Sequence, residues 1–278
     1  MDNFGIVNME TGEIIRENVQ SWRTSEQDRV YRMFKTNKQT YALDTQAGRY
    51  FTFIFTGEAI KEQYTLSKLS RLGAIVVLST YILSDSKGVG IAKLSFKSAA
   101  ECAKVLNCST RQAQLIWSDL EKVGAAYKDE TGLYMNSGLV YRGSTKRNDI
   151  VKVFHMNTRE LLEKGLKITD IGLLFLTAPY IDRETNYLCN NPNAGTKEAP
   201  ELIGFNELAK IVNVDEKTLR SKFKKMSIIY KGKEVPVYLK VENPLSNKTA
   251  YLMNPLVINR GMSDNYITDV FVPLFTRM

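Results

Sequence analysis

Side chains suited to contacts with nucleic acid recur at helical spacing in two segments of the chain, residues 109–122 and 215–225. Arg, Lys and Gln donate hydrogen bonds to base edges and phosphates, and Ser and Thr contact either. The predicted DNA-contacting residues are Thr110, Arg111, Gln114 and Ser118 in the first segment, and Lys217, Arg220, Ser221, Lys224 and Lys225 in the second. The alternative is that these residues form only the polar face of surface helices.

The overall charge favours the nucleic-acid interpretation. The chain has 38 Lys and Arg against 30 Asp and Glu, which leaves a net charge of +8 and a pI near 9.2. A basic surface indicates a polyanionic partner without identifying it. We therefore predict double-stranded DNA as the partner.

Residue types required for catalysis or metal binding are sparse. His155 is the single histidine, which excludes the paired-histidine metal site of a rolling-circle nickase. The three cysteines, Cys102, Cys108 and Cys189, contain no CxxC pair and suit a reducing compartment. We predict no catalytic residue, no metal, no cofactor and no membrane partner, and a cytoplasmic location.

Apolar periodicity predicts the elements that position the candidate residues. In the first segment, apolar residues at helical spacing pause at residues 107–109 and then resume, which indicates helix, tight turn, helix. The predicted core face of the second helix is Ala113, Ile116, Trp117 and Leu120. Ser109 and its counterpart Asp215 stand where a helix needs an N-cap.

A hairpin is predicted after the second helix. A short strand ends at Tyr127, turn-forming residues occupy 129–132, and another strand begins at Leu133. Helix-turn-helix followed by a hairpin predicts a winged helix, whose second helix enters the major groove.

The chain repeats itself in three blocks that keep their order. The matched pairs include Gly73/Gly172 at an offset of 99 residues, Ala103/Ala209 at 106, and Asn136/Asn254 and Arg142/Arg260 at 118. The offset grows in polar, turn-rich stretches after Glu184 and after Gly232, where loops tolerate insertions. We interpret the pattern as a duplicated unit.

The fold class that follows is α+β, with two tandem winged-helix domains. The predicted division is 1–49, an N-terminal hairpin and basic extension; 50–143, the first winged-helix domain; 144–149, a linker; 150–261, the second winged-helix domain; and 262–278, an apolar C-terminal tail. The tail either packs on the protein or joins chains by self-association.

The first 145 residues or so resemble RepL-type plasmid replication proteins of Firmicutes. The resemblance is carried by an opening METGEII hairpin, a strand leading into a helix, a helix-turn-helix, and a YMN…RG strand. That family has a single winged-helix unit, so residues 150–261 look like a second copy. The resemblance implies binding to origin DNA, with host replication proteins supplying the chemistry.

Three functions remain open on the sequence. The leading hypothesis is a plasmid or phage replication initiator. The alternatives are a phage or plasmid transcription regulator with the same domains and a winged-helix protein-interaction adaptor.

Overall fold

The computed structural model describes residues 6–7, 14–16, 50–65, 67–83, 92–143, 147, 149–193, 199–242, 249–261 and 274–275. The chain divides into two compact units, Met1–Gly48 and Arg49–Met278. In the smaller unit, β1 (Ile6–Val7) and β2 (Ile14–Arg16) pair antiparallel. The basic residues of the N-terminal extension, Arg29, Arg32, Lys35 and Lys38, lie outside the described residues.

The larger unit is a mixed α+β structure with small antiparallel sheets. Its first half, residues 50–143, contains β3 (Phe51–Phe55), α1 (Glu58–Thr65), α2 (Leu69–Ser79), α3 (Ala99–Val105), α4 (Thr110–Lys122), β4 (Ala126–Asp129), β5 (Gly132–Met135) and β6 (Val140–Tyr141). Its second half, residues 150–261, contains β7 (Ile150–Phe154), α5 (His155–Glu163), α6 (Ile168–Thr177), a 3-10 turn (Ala178–Tyr180), α7 (Phe205–Ile211), α8 (Glu216–Lys225), β8 (Ser227–Tyr230), β9 (Lys233–Pro236), β10 (Tyr238–Glu242), β11 (Thr249–Met253) and β12 (Ile258–Asn259).

One sheet joins the two halves, in the strand order β12-β7-β3-β6. At its centre β3 pairs antiparallel with β7, with Phe51 opposite Phe154, Phe53 opposite Lys152 and Phe55 opposite Ile150. Exchanging each residue for its equivalent 99 positions away reproduces this register. The four strands of this sheet are thus related in pairs by a pseudo-two-fold axis through the Phe53 and Lys152 pair.

Helices α2 and α6 make the most extensive contact among the described elements. Their contact is also reciprocal under the exchange of the two halves. Both are apolar and almost completely buried, as their sequences predict. A Cβ added at Gly73 of α2 would lie 1.9 Å from the backbone oxygen of Ile168, and one at Gly172 of α6 would lie 2.2 Å from that of Leu69. The two repeated glycines therefore allow backbone to touch backbone where the helices cross.

The third repeated block has a structural role in both halves. Asn136 Nδ2 donates to the Gly124 carbonyl at 2.8 Å, and Asn254 Nδ2 donates to the Pro236 carbonyl at the same distance. A second pair of contacts is matched as well: Arg142 donates to the Ile82 carbonyl at 2.7 Å, and Arg260 donates to the Ile181 carbonyl at 2.9 Å. The Asn side chains bridge the two ends of each hairpin, and the Arg side chains join the residue after each end strand to the segment that follows the central helix.

The second half differs from the first by an additional element. The hairpin β8–β9 follows α8 directly and packs against α5, whereas in the first half the chain passes from α4 to β4 after a short turn. Part of the larger offset after residue 225 is therefore a complete hairpin and not a longer loop. Hairpin β10–β11 is the equivalent of β4–β5.

The segments that connect and follow the halves are partly described. In the predicted linker, the Arg147 guanidinium pairs with the Asp149 carboxylate and lies 4.0 Å from the centre of the Phe55 ring. In the predicted tail, Phe275 is buried and belongs to the apolar core. At this residue the tail therefore packs on the protein.

Candidate nucleic-acid interface

A tight turn joins two helices in each half. Asn107 and Asn213 adopt left-handed backbone conformations, with φ of 49° and 50°, at equivalent positions between the helices. Asn tolerates this region better than most residues, because its short side chain bonds locally. The predicted N-caps are confirmed: Ser109 Oγ accepts from Gln112 N at 3.2 Å, and Asp215 Oδ1 accepts from Thr218 N at 2.9 Å. Short-range signals therefore set where α4 and α8 begin.

The predicted contact residues lie on the outer faces of α4 and α8. Eight of the nine are exposed, and Ser118 is half-buried. Ala113, Ile116 and Leu120 are buried on the opposite face of α4, and Leu219 and Phe223 are buried on that of α8. The two helices thus expose the predicted contact residues on one face and bury apolar side chains on the opposite face.

Trp117 is not the core residue that its periodicity predicts. Its side chain is half-buried against the core, and its ring nitrogen donates to Glu121 Oε1 at 2.8 Å. Its counterpart Phe223 is 4% exposed and stacks on Tyr238 with ring centres 3.7 Å apart. The polar tip of the indole explains the difference, because it keeps one edge of Trp117 at the surface.

Replacing these two aromatics is expected to have unequal effects. Phe223→Ala should reduce the free energy of unfolding by about 3–5 kcal/mol, the usual cost of removing a buried Phe. Trp117→Ala should cost only about 1–2 kcal/mol, because the exposed part of the ring gains little from burial. Urea denaturation of both variants measures the difference, and equal losses would contradict the two environments.

An ion pair joins each of these helices to the first turn of the central helix, although the partners in α4 and α8 are not equivalent, because Asp119 corresponds to Lys225 and not to Lys222. In the first half Arg71 of α2 lies 3.8 Å from the Asp119 carboxylate of α4. In the second half Asp170, the equivalent of Arg71, pairs with Lys222 of α8. Lys222 is therefore directed inward and should not be counted among the cations that α8 presents.

Helix α8 nevertheless presents more positive charge than α4. Lys217, Lys224 and Lys225 are exposed, and Arg220 lies over the Phe205 ring at 4.6 Å. In residues 109–122, by contrast, Arg111 and Lys122 are balanced by Asp119 and Glu121. The two faces therefore differ in electrostatic character although their positions correspond.

The hairpins beside the helices add further polar surface. Lys128 of β4 and Lys240 of β10 occupy equivalent, exposed positions. A cleft of about 470 Å³ lies between α7, α8 and β10–β11, with Arg220, Lys240 and Tyr251 in its lining. At the tip of β4–β5, hydrogen bonds led by that from the Thr131 hydroxyl lower the pKa of Asp129.

Two features of the surface were not predicted from the sequence. Leu115, in the middle of α4, is 63% exposed, although periodicity places it outside the core face and could have identified it. The β8–β9 hairpin ends in a tight turn at Lys231 and Gly232, with φ of 49° and 77°, and exposes Lys231 and Lys233. Gly232 is the residue that could have marked this turn, since a two-residue turn of this kind needs positive φ at both positions.

Of the side chains considered for chemistry, His155, Cys102 and Cys189 are buried and Cys108 is half-buried. The strand-like run IVKVFHM from Ile150 predicts a strand that includes His155, but His155 begins α5, and its Nε2 is 2.7 Å from Thr52 Oγ1. Because the Thr52 hydroxyl donates to the Ser79 carbonyl at 2.8 Å, the His155 Nε2–H must be the donor of the second bond. Burial raises the pKa of the Cys102 and Cys189 thiols to about 12, which keeps both protonated.

His155 is expected to make stability depend on pH. Burial, together with the nearby Arg142 and Arg159 charges, lowers the pKa of His155 to about 3. In the unfolded chain His155 therefore takes up a proton near pH 6.5, whereas in the native protein it does so only near pH 3. The stability that neutral His155 contributes is fully present above this window and is lost as the pH falls through it.

Between pH 7 and pH 5 the free energy of unfolding should fall by about 2 kcal/mol from this residue alone. Urea denaturation at the two pH values measures the change. His155→Gln should remove the drop whatever its effect on stability at pH 7, and an unaltered drop in the variant would assign it to other groups.

The described residues contain no group of three or more His, Cys, Asp and Glu side chains that could hold a metal ion. Within the same ranges, none of the helices has both the length and the apolar character needed to cross a membrane.

Comparison with known proteins gave no match, whether with protein-family models, with curated proteins or with solved structures. The resemblance to RepL-type proteins therefore stays a prediction from the sequence motifs.

Proposed function

We propose that the chain is a sequence-specific double-stranded DNA-binding protein made of two winged-helix units, with α4 and α8 as recognition helices. The observation that carries the proposal is that α4 and α8 share the same turn, the same kind of cap and an exposed polar face. Each follows a left-handed Asn turn, begins at a capped N-terminus, and exposes polar side chains over a buried apolar face. A helix of this kind, followed by a hairpin, suits insertion into the major groove.

The pseudo-two-fold axis supports the binding of one chain to two half-sites. The two-fold relation is seen in the pairing of β3 with β7 and in the reciprocal contacts of Gly73 and Gly172, and it leads us to expect α4 and α8 on opposite sides of one axis. Dimeric helix-turn-helix proteins place their recognition helices in this relation and bind half-sites of inverted orientation. Here both helices belong to one chain, and their different side chains select half-sites of different sequence.

The biological role that we propose is initiation of plasmid or phage replication, with host proteins supplying the enzymatic steps. This role rests on the resemblance to RepL-type proteins. It requires no catalytic residue in the chain, because the protein would act by marking and organising origin DNA.

Selection of duplexes from a random library by the full-length chain tests DNA binding. We expect a site of about 20 base pairs, with two dissimilar motifs in inverted orientation about one helical turn apart and one chain bound per site. Gln114→Ala and Lys224→Gln serve as variants, one in each helix, and each should weaken protection of its own motif. Failure to enrich any duplex would refute the proposal, and a single motif protected by one half would refute the use of both helices.

A plasmid-maintenance assay tests the replication role separately. A plasmid without its own origin, carrying the selected site, should be maintained in a Firmicutes host only when the chain is expressed. Regulation of a reporter promoter without plasmid maintenance would support the transcription alternative and leave DNA binding intact.

A further inference from the structure

The outer face of α4 has an apolar centre. Leu115 is 63% exposed, and its neighbours one turn before and after on the same face are Arg111 and Ser118. Gln114, beside it, is also exposed. Asp119, which is also one turn after Leu115, is directed to Arg71 of α2 at 3.8 Å. Leu115 therefore stands among side chains that suit base edges, at the position where a helix in the major groove approaches the bases.

The second half places a different residue at this point. The equivalent of Leu115 is Ser221 of α8, which is exposed and has exposed Lys217, Lys224 and Lys225 nearby on the same helix. Helix α8 is thus suited to phosphates and polar base atoms, whereas α4 combines balanced charge with a large apolar side chain. The difference indicates that the two helices select their half-sites through different chemistry.

The major groove offers one apolar group, the C5 methyl of thymine. We infer that Leu115 packs against a thymine methyl in the α4 half-site and is the main determinant of thymine at that position. Arg111 and Gln114 would bond to the edges of adjacent bases, which fixes the register of the contact. This inference rests on the proposed function, because it assumes that α4 enters the major groove.

Deoxyuridine tests the contact, because it differs from thymidine only by the missing methyl and leaves every hydrogen-bonding group in place. In the duplex selected by the wild-type protein, each thymine is replaced singly, and dissociation constants are measured by fluorescence anisotropy at fixed salt. Wild-type affinity should fall about fourfold at one position in the α4 half-site, which corresponds to about 0.8 kcal/mol for a buried methyl group.

The matched variants are Leu115→Ala, Leu115→Met and Ser221→Ala, all at exposed positions. Leu115→Ala should bind the thymine duplex several-fold more weakly and lose nothing further with deoxyuridine at that position. Leu115→Met should retain most of the discrimination. Ser221→Ala, at a predicted contact of the other half-site, should keep the wild-type ratio of thymine to deoxyuridine affinity at this position even if its overall affinity falls.

Equal losses on deoxyuridine in the wild type and in Leu115→Ala would overturn the inference while leaving DNA binding established. Equal affinities of these two proteins on every duplex would also overturn it and would point to a protein partner for Leu115. Absence of specific binding by the wild type is a different result, since it removes the proposed function itself.

Discussion

Gly73→Ala and Gly172→Ala are each expected to destabilise the protein by at least about 3 kcal/mol, or to prevent its accumulation in folded form. At Gly73 the new Cβ would lie 1.9 Å from a backbone oxygen of the opposing helix, and at Gly172 the distance would be 2.2 Å. A backbone atom cannot rotate away as a side chain can. Helices α2 and α6 would have to separate, and the packing of their buried faces would be lost along their length.

The helix propensity of the new alanine opposes the destabilisation by the clash. It therefore determines the result that would contradict the prediction, which is a gain in stability. Ala is favoured over Gly inside a helix by about 1 kcal/mol, so either variant would be stabilised if the helices did not touch at the glycine. The clash exceeds this gain, and because the two glycines are equivalent, both variants should lose similar amounts.

The control is Gly204→Ser, measured by the same thermal and urea denaturation. Gly204 is the N-cap of α7, and an added Cβ there meets no atom within 4 Å. Ser is a good N-cap, so this variant should be neutral or slightly stabilised. A rise in stability for Gly73→Ala would show that α2 and α6 do not cross at this point.

Replacing Lys217, Lys224 and Lys225 together by Gln is expected to produce the largest loss of DNA affinity. Each neutralised phosphate contributes about −0.9 to the slope of log affinity against log salt, so the slope should flatten by about 2–3. By the same relation each contact contributes about tenfold at 0.1 M salt, and the triple variant should bind about two to three orders of magnitude more weakly. The loss should be similar on specific and scrambled duplexes.

Lys222→Gln provides a control that removes the same unit of charge from the same helix. Because Lys222 pairs with Asp170, it is not available to a phosphate, and the variant should keep the wild-type salt slope even if its stability decreases. Equal flattening by Lys222→Gln and Lys224→Gln would contradict the proposed orientation of α8.

Arg111→Ala in α4 should behave differently from the lysine variants. Its main effect is expected on discrimination, with a loss of about 1–3 kcal/mol on the specific duplex and little change on scrambled DNA. Salt titrations of wild type and variants on both duplexes separate the two kinds of contact. A uniform loss for Arg111→Ala would make it a phosphate contact.

Local features of the fold were predictable because they depend on residues close together in the chain. Ser109 and Asp215 cap helices at the positions where their oxygen atoms are needed, and the buried and exposed faces of α4 follow its apolar period. Turn-forming residues between Asp129 and Gly132 marked the hairpin, although β4 continues to Asp129, beyond the predicted end at Tyr127.

Other features depended on contacts that periodicity does not describe. The segment from Ile150 to Met156 has a strand-like pattern and predicts a helix only near Thr158, but β7 ends at Phe154 and α5 begins at His155, whose Nε2 lies 2.7 Å from Thr52 Oγ1. Trp117 lies on the core side of α4 but keeps its ring nitrogen at the surface. The added β8–β9 hairpin was interpreted as part of a longer loop, because an offset measures the length of an insertion and not its structure.

From the sequence by itself came the repeated unit, the helices that carry the candidate contacts, and the caps that begin them, since each is written in neighbouring residues. Only the tertiary structure decided how the two halves meet. The pairing of β3 with β7, the crossing of α2 and α6 at Gly73 and Gly172, and the inward direction of Lys222 all join residues far apart in the chain. An apolar period indicates that a face is buried but not what covers it, so the two-fold relation of β3 to β7 and of α2 to α6 could be seen only in the packing.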